Sequence, residues 1–145
     1  MDGAGKCWDL ASNQVVQYAQ HEGAIKCVHW VEAHNMIVTG GWDKTLKFWP
    51  INSLGTGTPA ATVNLTDRVY AMDVKGDCMV VALADRNIHV FDVRNNPSAP
   101  MKSHQSPLRH QVRSRSPWTF DVVLVNHGRQ VTWFHYSSTS PSPLQ

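Results

Sequence analysis

The chain has 145 residues, of which 42% are hydrophobic and 17% are charged, a composition that excludes a wholly disordered chain. Its formal net charge of +2 gives no general attraction to nucleic acid. The three cysteines lack C-x-x-C spacing and the eight histidines lack a metal-binding spacing, so we expect no disulfide framework, metal or cofactor. With no signal-peptide pattern and no apolar run of about eighteen residues, we expect a soluble intracellular protein without membrane insertion.

Three segments in chain order resemble one another, and each carries an aromatic residue at the end of a short alternating run. Trp49 follows Trp8 by 41 residues, and Phe91 follows Trp49 by 42. These spacings match the roughly 40 to 45 residues of a WD propeller blade. An aspartate stands six positions before each aromatic residue, at Asp2, Asp43 and Asp85. The chain is therefore predicted to contain a repeat with the period of a β-propeller.

Within this period, runs rich in β-branched and aromatic residues predict strands at 25–30, 35–39, 45–49, 69–74, 79–83 and 87–93. Tight turns are predicted at 40–43 and 84–87. No segment has the apolar period that a helix needs. The predicted fold is all-β: a partial WD-repeat propeller of about three blades, each an antiparallel four-stranded sheet.

The repeats suggest a division into a WD-repeat region, 1–112, and a divergent, partly disordered tail, 113–145. Within the first region, 1–20 would end one blade, while 21–62 and 63–104 would be full blades. Two apolar runs in the tail, 121–125 and 130–136, could still form a hairpin around Asn126-His127-Gly128.

Four residues of the first full repeat fit the buried polar tetrad of a WD blade: His21, Thr39, Asp43 and Trp49. In such a tetrad the aspartate orients the histidine, the threonine relays the hydrogen bonds, and the indole N–H is satisfied. The alternative is that the histidine and aspartate are independent surface residues. The second repeat departs from this pattern, because Ala82 stands where we expect a hydroxyl and Phe91 replaces tryptophan. We expect that blade to be held by packing alone.

Longer stretches resemble the WD-repeat mRNA export factor family, whose sister is the mitotic-checkpoint WD-repeat protein. The D-K-T-L-K-F-W motif at 43–49 is common to many WD proteins, whereas S-P-L-R-H-Q at 106–111 is more particular to this pair. The sequence of residues 8–20 favours the export factor, and the resemblance covers roughly residues 5–112. Because the family's propeller has seven blades, the resemblance implies a truncated member with an unclosed ring.

The loops on one face of a propeller form a rigid platform for binding. Tryptophan and arginine are enriched at interface hot spots, so Trp42 is the first predicted contact, with Lys44 and Arg86 adding charge. The alternative for Trp42 is packing against the neighbouring blade. By resemblance, the partner is the acidic GLEBS segment of an FG nucleoporin in poly(A) RNA export, and the location is the nucleus, nuclear pore or envelope, and cytoplasm.

Other functions remain open at this stage. No acid lies between Asp92 and Asp121, so a single-stranded RNA could contact the basic residues of that stretch, Lys102, Arg109, Arg113 and Arg115. The F-D-V-R motif at 91–94 is similar to the W-D-x-R box read by a cullin-ligase adaptor. A checkpoint scaffold, self-association through open blade edges and a non-functional fragment are further alternatives. No catalytic spacing is present, so we expect no enzyme.

Overall fold

The computed structural model describes residues 3–53, 56–94, 97–106, 113–114, 122–126 and 131–135, the last three ranges by their backbone. These residues form thirteen strands: β1 Ala4–Asp9, β2 Gln14–Gln20, β3 Ile25–Val31, β4 Met36–Gly41, β5 Thr45–Pro50, β6 Ala61–Asn64, β7 Val69–Lys75, β8 Cys78–Leu83, β9 Asn87–Asp92, β10 Lys102–Gln105, β11 Arg113–Ser114, β12 Val122–Asn126 and β13 Val131–His135. Two short 3-10 turns, Glu32–His34 and Ile51–Ser53, accompany them.

The strands form four antiparallel sheets, each made from neighbours in the sequence. The first sheet is β1-β2, the second β3-β4-β5-β6, the third β7-β8-β9-β10 and the fourth β11-β12-β13. The prediction of an all-β partial propeller with antiparallel four-stranded blades is confirmed, and the described sheets do not close into a ring. None of the helices in the described residues is long and apolar enough to cross a membrane.

The second and third sheets pack face to face, because alternate residues of each strand point into one apolar layer. Phe48 and Leu46 of β5 and Phe91 of β9 are fully buried in this layer. Residues on the opposite face of the second sheet pack towards the first sheet, where the Trp49 ring meets Tyr18 edge to face at 6.3 Å. The first three sheets are thus joined by apolar contacts.

The predicted turn at 40–43 is displaced in the structure, because Gly40 and Gly41 belong to β4 and the turn covers 42–44. A Cβ atom on Gly40 would lie 2.8 Å from Cγ1 of Val69, so a larger residue there would collide with the third sheet. Gly40 is therefore needed for the close packing of the second and third sheets, rather than for the turn.

The tail contains the hairpin that its two apolar runs predicted. Strands β12 and β13 pair antiparallel, with Val122 opposite His135 and Asn126 opposite Val131, and β11 pairs along the other edge of β12. The connecting residues 127–130 and the predicted disorder of the remaining tail lie outside the described residues.

Candidate interaction face and its buried support

The turns and loops at one end of the second and third sheets form what we call the loop face, residues 21–24, 42–44, 65–68 and 84–86. Backbone hydrogen bonds join each turn to a neighbouring loop. The N–H of Trp42 donates to the carbonyl of Ala24 at 2.8 Å, and the N–H of Leu65 donates to that of Lys44 at 2.8 Å. The N–H of Ala84 likewise donates to Arg68 at 2.9 Å. The loop face is consequently a connected surface that spans two sheets.

Beneath this face, the structure brings the four predicted tetrad residues into one chain of hydrogen bonds. Nδ1 of His21 lies 2.9 Å from Oδ2 of Asp43, and its Nε2 lies 2.7 Å from Oγ1 of Thr39. The indole N–H of Trp49 donates to the same Oγ1 at 2.8 Å. His21, Thr39 and Trp49 are all at most 2% exposed. The chain of bonds links the loop before β3 to the interiors of β4 and β5.

A neutral His21 satisfies the donors and acceptors of this network. The Thr39 oxygen accepts the Trp49 indole hydrogen, so its own hydrogen is available for Nε2 of His21. Nδ1 of His21 then carries a hydrogen and donates it to the Asp43 carboxylate. A neutral histidine with its hydrogen on Nδ1 thereby satisfies every polar atom in the chain of bonds.

The pKa values agree with this neutral histidine beside an ionised aspartate. Burial lowers the pKa of His21 below its ordinary value, although hydrogen bonding to Asp43 opposes the change. For Asp43 burial is the largest effect and raises the pKa, but the hydrogen bonds from His21 and Thr45 together hold it below its ordinary value. The pair therefore forms a hydrogen-bonded support beneath the loop face.

This arrangement predicts acid sensitivity. The unfolded chain binds a proton at His21 more readily than the folded chain, so stability is complete above about pH 6.5 and falls as the pH is lowered. We expect the free energy of unfolding in urea to be lower at pH 5.5 than at pH 7.5. The variant His21→Gln, although less stable at both pH values, should lose less between them. A wild-type protein that gains stability at pH 5.5 would contradict this assignment.

The third sheet lacks the tetrad. The structure also shows that Ala82 is not the residue equivalent to Thr39. Thr39 pairs with Lys47 in the second sheet, and the residue at the same register of the third sheet is Val81, which pairs with His89. Ala82 is thus one position away from the expected hydroxyl site. Asp85 keeps polar partners in its turn, since the Thr66 hydroxyl and the Asn87 amide both donate to its carboxylate. This blade is therefore not held by packing alone.

On the loop face itself, Trp42 is 42% exposed and contacts a residue of the third sheet's loop. The Cζ atom of Arg68 lies 5.8 Å from the centre of the Trp42 ring and 6.0 Å from that of Tyr70. These are cation–π distances. Trp42 therefore contacts the neighbouring blade and still presents part of its ring to solvent. Arg68 was not predicted as a site residue, because a contact between residues 26 positions apart leaves no local pattern in the sequence.

The two predicted cations occupy equivalent positions of the two turns. Lys44 has φ of 64° and Arg86 has φ of 71°, both in the left-handed region. The Lys44 side chain is 53% exposed, and its Nζ lies 3.6 Å from Oδ1 of Asp67. The Nε atom of Arg68 lies 3.9 Å from the same oxygen. One carboxylate thus lies between two half-exposed cations.

Only two of the four predicted RNA-contacting residues, Lys102 and Arg113, lie among the described residues. Lys102 is exposed on β10 and the backbone of Arg113 lies in β11, on different sheets. Arg109 and Arg115 lie outside the described residues. Among the residues described, no three His, Cys, Asp or Glu side chains form a group that could hold a metal ion.

The similarities to known proteins agree with the propeller blades seen in the structure. The model of the WD domain, G-beta repeat, matches residues 12–50. Residues 12–50 therefore form a WD repeat. The mRNA export factor rae-1 of Caenorhabditis elegans is 41% identical to this chain over 114 residues, covering 77% of this chain and 30% of that protein. The mitotic checkpoint protein bub-3 of the same organism is 34% identical over 109 residues, covering 75% and 31%.

The predicted resemblance to the export factors and their checkpoint sister is confirmed by these matches. The chain spans about a third of the length of the curated relatives it matches. Among solved structures, the computationally designed Ika8 protein superimposes with a TM-score of 0.70 at 22% identity, covering 93% of this chain and 41% of that chain. That likeness supports the fold of the WD-repeat chain and carries no functional argument.

Proposed function

We propose that this chain is a non-enzymatic WD-repeat scaffold whose loop face docks the acidic GLEBS segment of an FG nucleoporin during poly(A) RNA export. The observation that carries the proposal is the half-exposed Trp42 ring beside the cations Lys44 and Arg68 on a connected loop surface. Tryptophan with neighbouring arginine is the composition typical of a binding hot spot. The proposed site lies across the two blades at 21–62 and 63–104.

Rigidity supports a role in binding, because a platform that is already ordered loses little conformational entropy when a partner docks. The Asp43 carboxylate accepts hydrogen bonds from the N–H of Glu22 at 3.1 Å and from the N–H of Thr45 at 3.2 Å. It is also bonded to buried His21. The turn that carries Trp42 and Lys44 is thereby tied to the blade interior.

The relatives favour a partner in RNA export over a checkpoint partner, and the cations around Trp42 suit an acidic segment. Lys44 and Arg68 place two half-exposed positive charges around Asp67, and Arg86 lies in the equivalent turn of the third sheet, while Glu22, Asp43 and Asp85 are the other acids of the loop face. The higher identity to the export factor than to the checkpoint protein supports the same choice. The proposed location is accordingly the nucleus, the nuclear pore or envelope, and the cytoplasm.

The test is a titration of the purified chain with a fluorescently labelled GLEBS peptide, followed by anisotropy. Trp42→Ala should weaken binding by about tenfold or more, as expected for a central tryptophan of an interface. Trp30→Ala is a matched control, because Trp30 is 45% exposed, close to the 42% of Trp42, but lies near the opposite end of β3. It should change the dissociation constant by less than about twofold.

Equal affinity of the wild type and Trp42→Ala would remove the loop face as the docking site. Binding of a cullin-ligase adaptor that is lost on Arg94→Ala, in the absence of peptide binding, would favour the substrate-receptor alternative. Capture of single-stranded RNA through Lys102 and Arg113, again without peptide binding, would favour direct RNA contact.

A further inference from the structure

Arg68 is a cation of the loop face whose side chain contacts two aromatic rings. Its guanidinium lies at cation–π distance from two aromatic rings, Trp42 at 5.8 Å and Tyr70 at 6.0 Å. Its side chain is nevertheless 47% exposed. A planar guanidinium held by aromatic rings loses less freedom on binding than a lysine on a flexible stem. Arg68 is therefore preorganised for a ligand that approaches from solvent.

The carboxylate nearest to Arg68 is not hydrogen-bonded to the side chain of either neighbouring cation. Oδ1 of Asp67 lies 3.9 Å from Nε of Arg68 and 3.6 Å from Nζ of Lys44, both beyond hydrogen-bond distance. The same oxygen accepts a 2.8 Å hydrogen bond from the backbone N–H of Arg68. Exposed ion pairs of this kind contribute little stability, so a second carboxylate can replace their electrostatic role at small cost.

We propose that Arg68 is the specificity-determining residue of the loop face, where it binds a glutamate or aspartate side chain of the docking peptide through two parallel N–H···O bonds. Lys44 contributes a second positive charge, and Asp67 competes with the incoming carboxylate. This proposal rests on the proposed function, since it names the chemistry of the same face. Bidentate guanidinium–carboxylate pairing is the strongest hydrogen bonding available to these groups.

The surroundings of Arg68 favour a peptide carboxylate over nucleic acid. Single-stranded RNA is bound by a continuous row of cations together with aromatic rings on which its bases stack. Here Trp42 and Tyr70 already contact the guanidinium, and four acidic residues belong to the same face, namely Glu22, Asp43, Asp67 and Asp85. A discrete carboxylate fits this mixture of charges better than a polyanionic backbone.

The experiment compares three probes, the GLEBS peptide, an eight-residue polyglutamate peptide and an oligouridylate, on the wild type and three variants. Arg68→Gln should weaken both peptides by about tenfold or more, the loss expected when a charge-assisted pair is removed. Asp67→Asn keeps the acceptor for the Arg68 backbone N–H but removes the competing charge, so both peptides should bind about threefold more tightly. The matched control, Arg94→Gln, removes a 65%-exposed arginine near Asp77 at the opposite end of the sheets, and it should change neither affinity by more than about twofold.

The outcomes separate this proposal from the proposed function. If the GLEBS peptide fails to bind but polyglutamate binds and requires Arg68, the partner assignment is wrong and the carboxylate site stands. If the GLEBS peptide binds the wild type and Arg68→Gln equally, the carboxylate site is overturned and the docking face stands. Failure of both peptides overturns both proposals. An oligouridylate that binds through Arg68 where polyglutamate does not would assign the site to RNA and also overturn the proposal.

Discussion

Replacing Thr39 with valine should lower the free energy of unfolding by about 3 kcal/mol, measured by urea denaturation followed by circular dichroism. The two side chains are nearly equal in volume, so the change removes one hydroxyl and opens no large cavity. That hydroxyl serves both Nε2 of His21 and the indole N–H of Trp49, and each buried polar atom left unpaired costs about 1–3 kcal/mol. A small domain has only about 5–15 kcal/mol of stability in total, so this loss is large.

The matched control is Thr62→Val, because Thr62 is exposed on β6 of the same sheet. Its free energy of unfolding should change by less than about 0.5 kcal/mol. If Thr39→Val proved as stable as Thr62→Val, the chain of hydrogen bonds would not be supporting the blade. In that case the rigidity we attribute to the loop face would need another source.

The packing between the second and third sheets predicts a second large effect. Phe48 is 1% exposed at the centre of the apolar layer between them, beside Leu46 of its own sheet and Val69 and Phe91 of the next. Phe48→Ala should cost about 3–5 kcal/mol, because the lost burial and the remaining cavity add together. Thermal or urea unfolding would then show a single transition at much lower temperature or denaturant concentration, or no folded baseline.

Two substitutions separate packing from a general intolerance of mutation. Phe48→Leu keeps most of the apolar volume and should cost clearly less than the alanine change. Ile51→Ala removes a large side chain that is 43% exposed in the 3-10 turn after β5, and its effect should be within about 1 kcal/mol. An alanine at 48 that is no more harmful than one at 51 would show that the two sheets do not depend on this contact.

The sequence predicted the blade architecture because a blade is assembled from neighbouring strands, so its period survives in the chain. The spacing of Trp8, Trp49 and Phe91 and the aspartates before them carry that period. The outer strands β6 and β10 were not predicted, since each has only four residues and β10 is exposed along its whole length. Short exposed strands lack the alternation that marks a half-buried strand.

Register and contacts between blades were less accessible to sequence reasoning. Ala82 was assigned the position that pairing gives to Val81, because one residue of misalignment leaves the composition unchanged but moves a side chain to the other face. The expected site residues Trp42 and Lys44 lie on one loop face, but their neighbours Arg68 and Asp67 come from the following loop. The contact of Arg68 with two rings depends on how two sheets pack, which no local pattern records.

Several large apolar side chains remain exposed on the first sheet and at its turn, namely Trp8 at 61%, Leu10 at 77% and Val15 at 60%. Within the described strands, β1 pairs only with β2. Exposed apolar surface beside a strand edge favours association between chains. We therefore propose that self-association through this sheet competes with the discrete monomer or dimer that peptide docking requires.

We propose that the chain forms a folded loop face able to dock an acidic nucleoporin segment. Size-exclusion chromatography with light scattering, on the purified chain with and without the GLEBS peptide, tests it most directly. We predict a discrete monomer or dimer whose mass increases by one peptide per chain, with the increase lost on Trp42→Ala. A soluble aggregate whose mass does not respond to saturating peptide would contradict the claim and identify a chain that does not function as a scaffold alone.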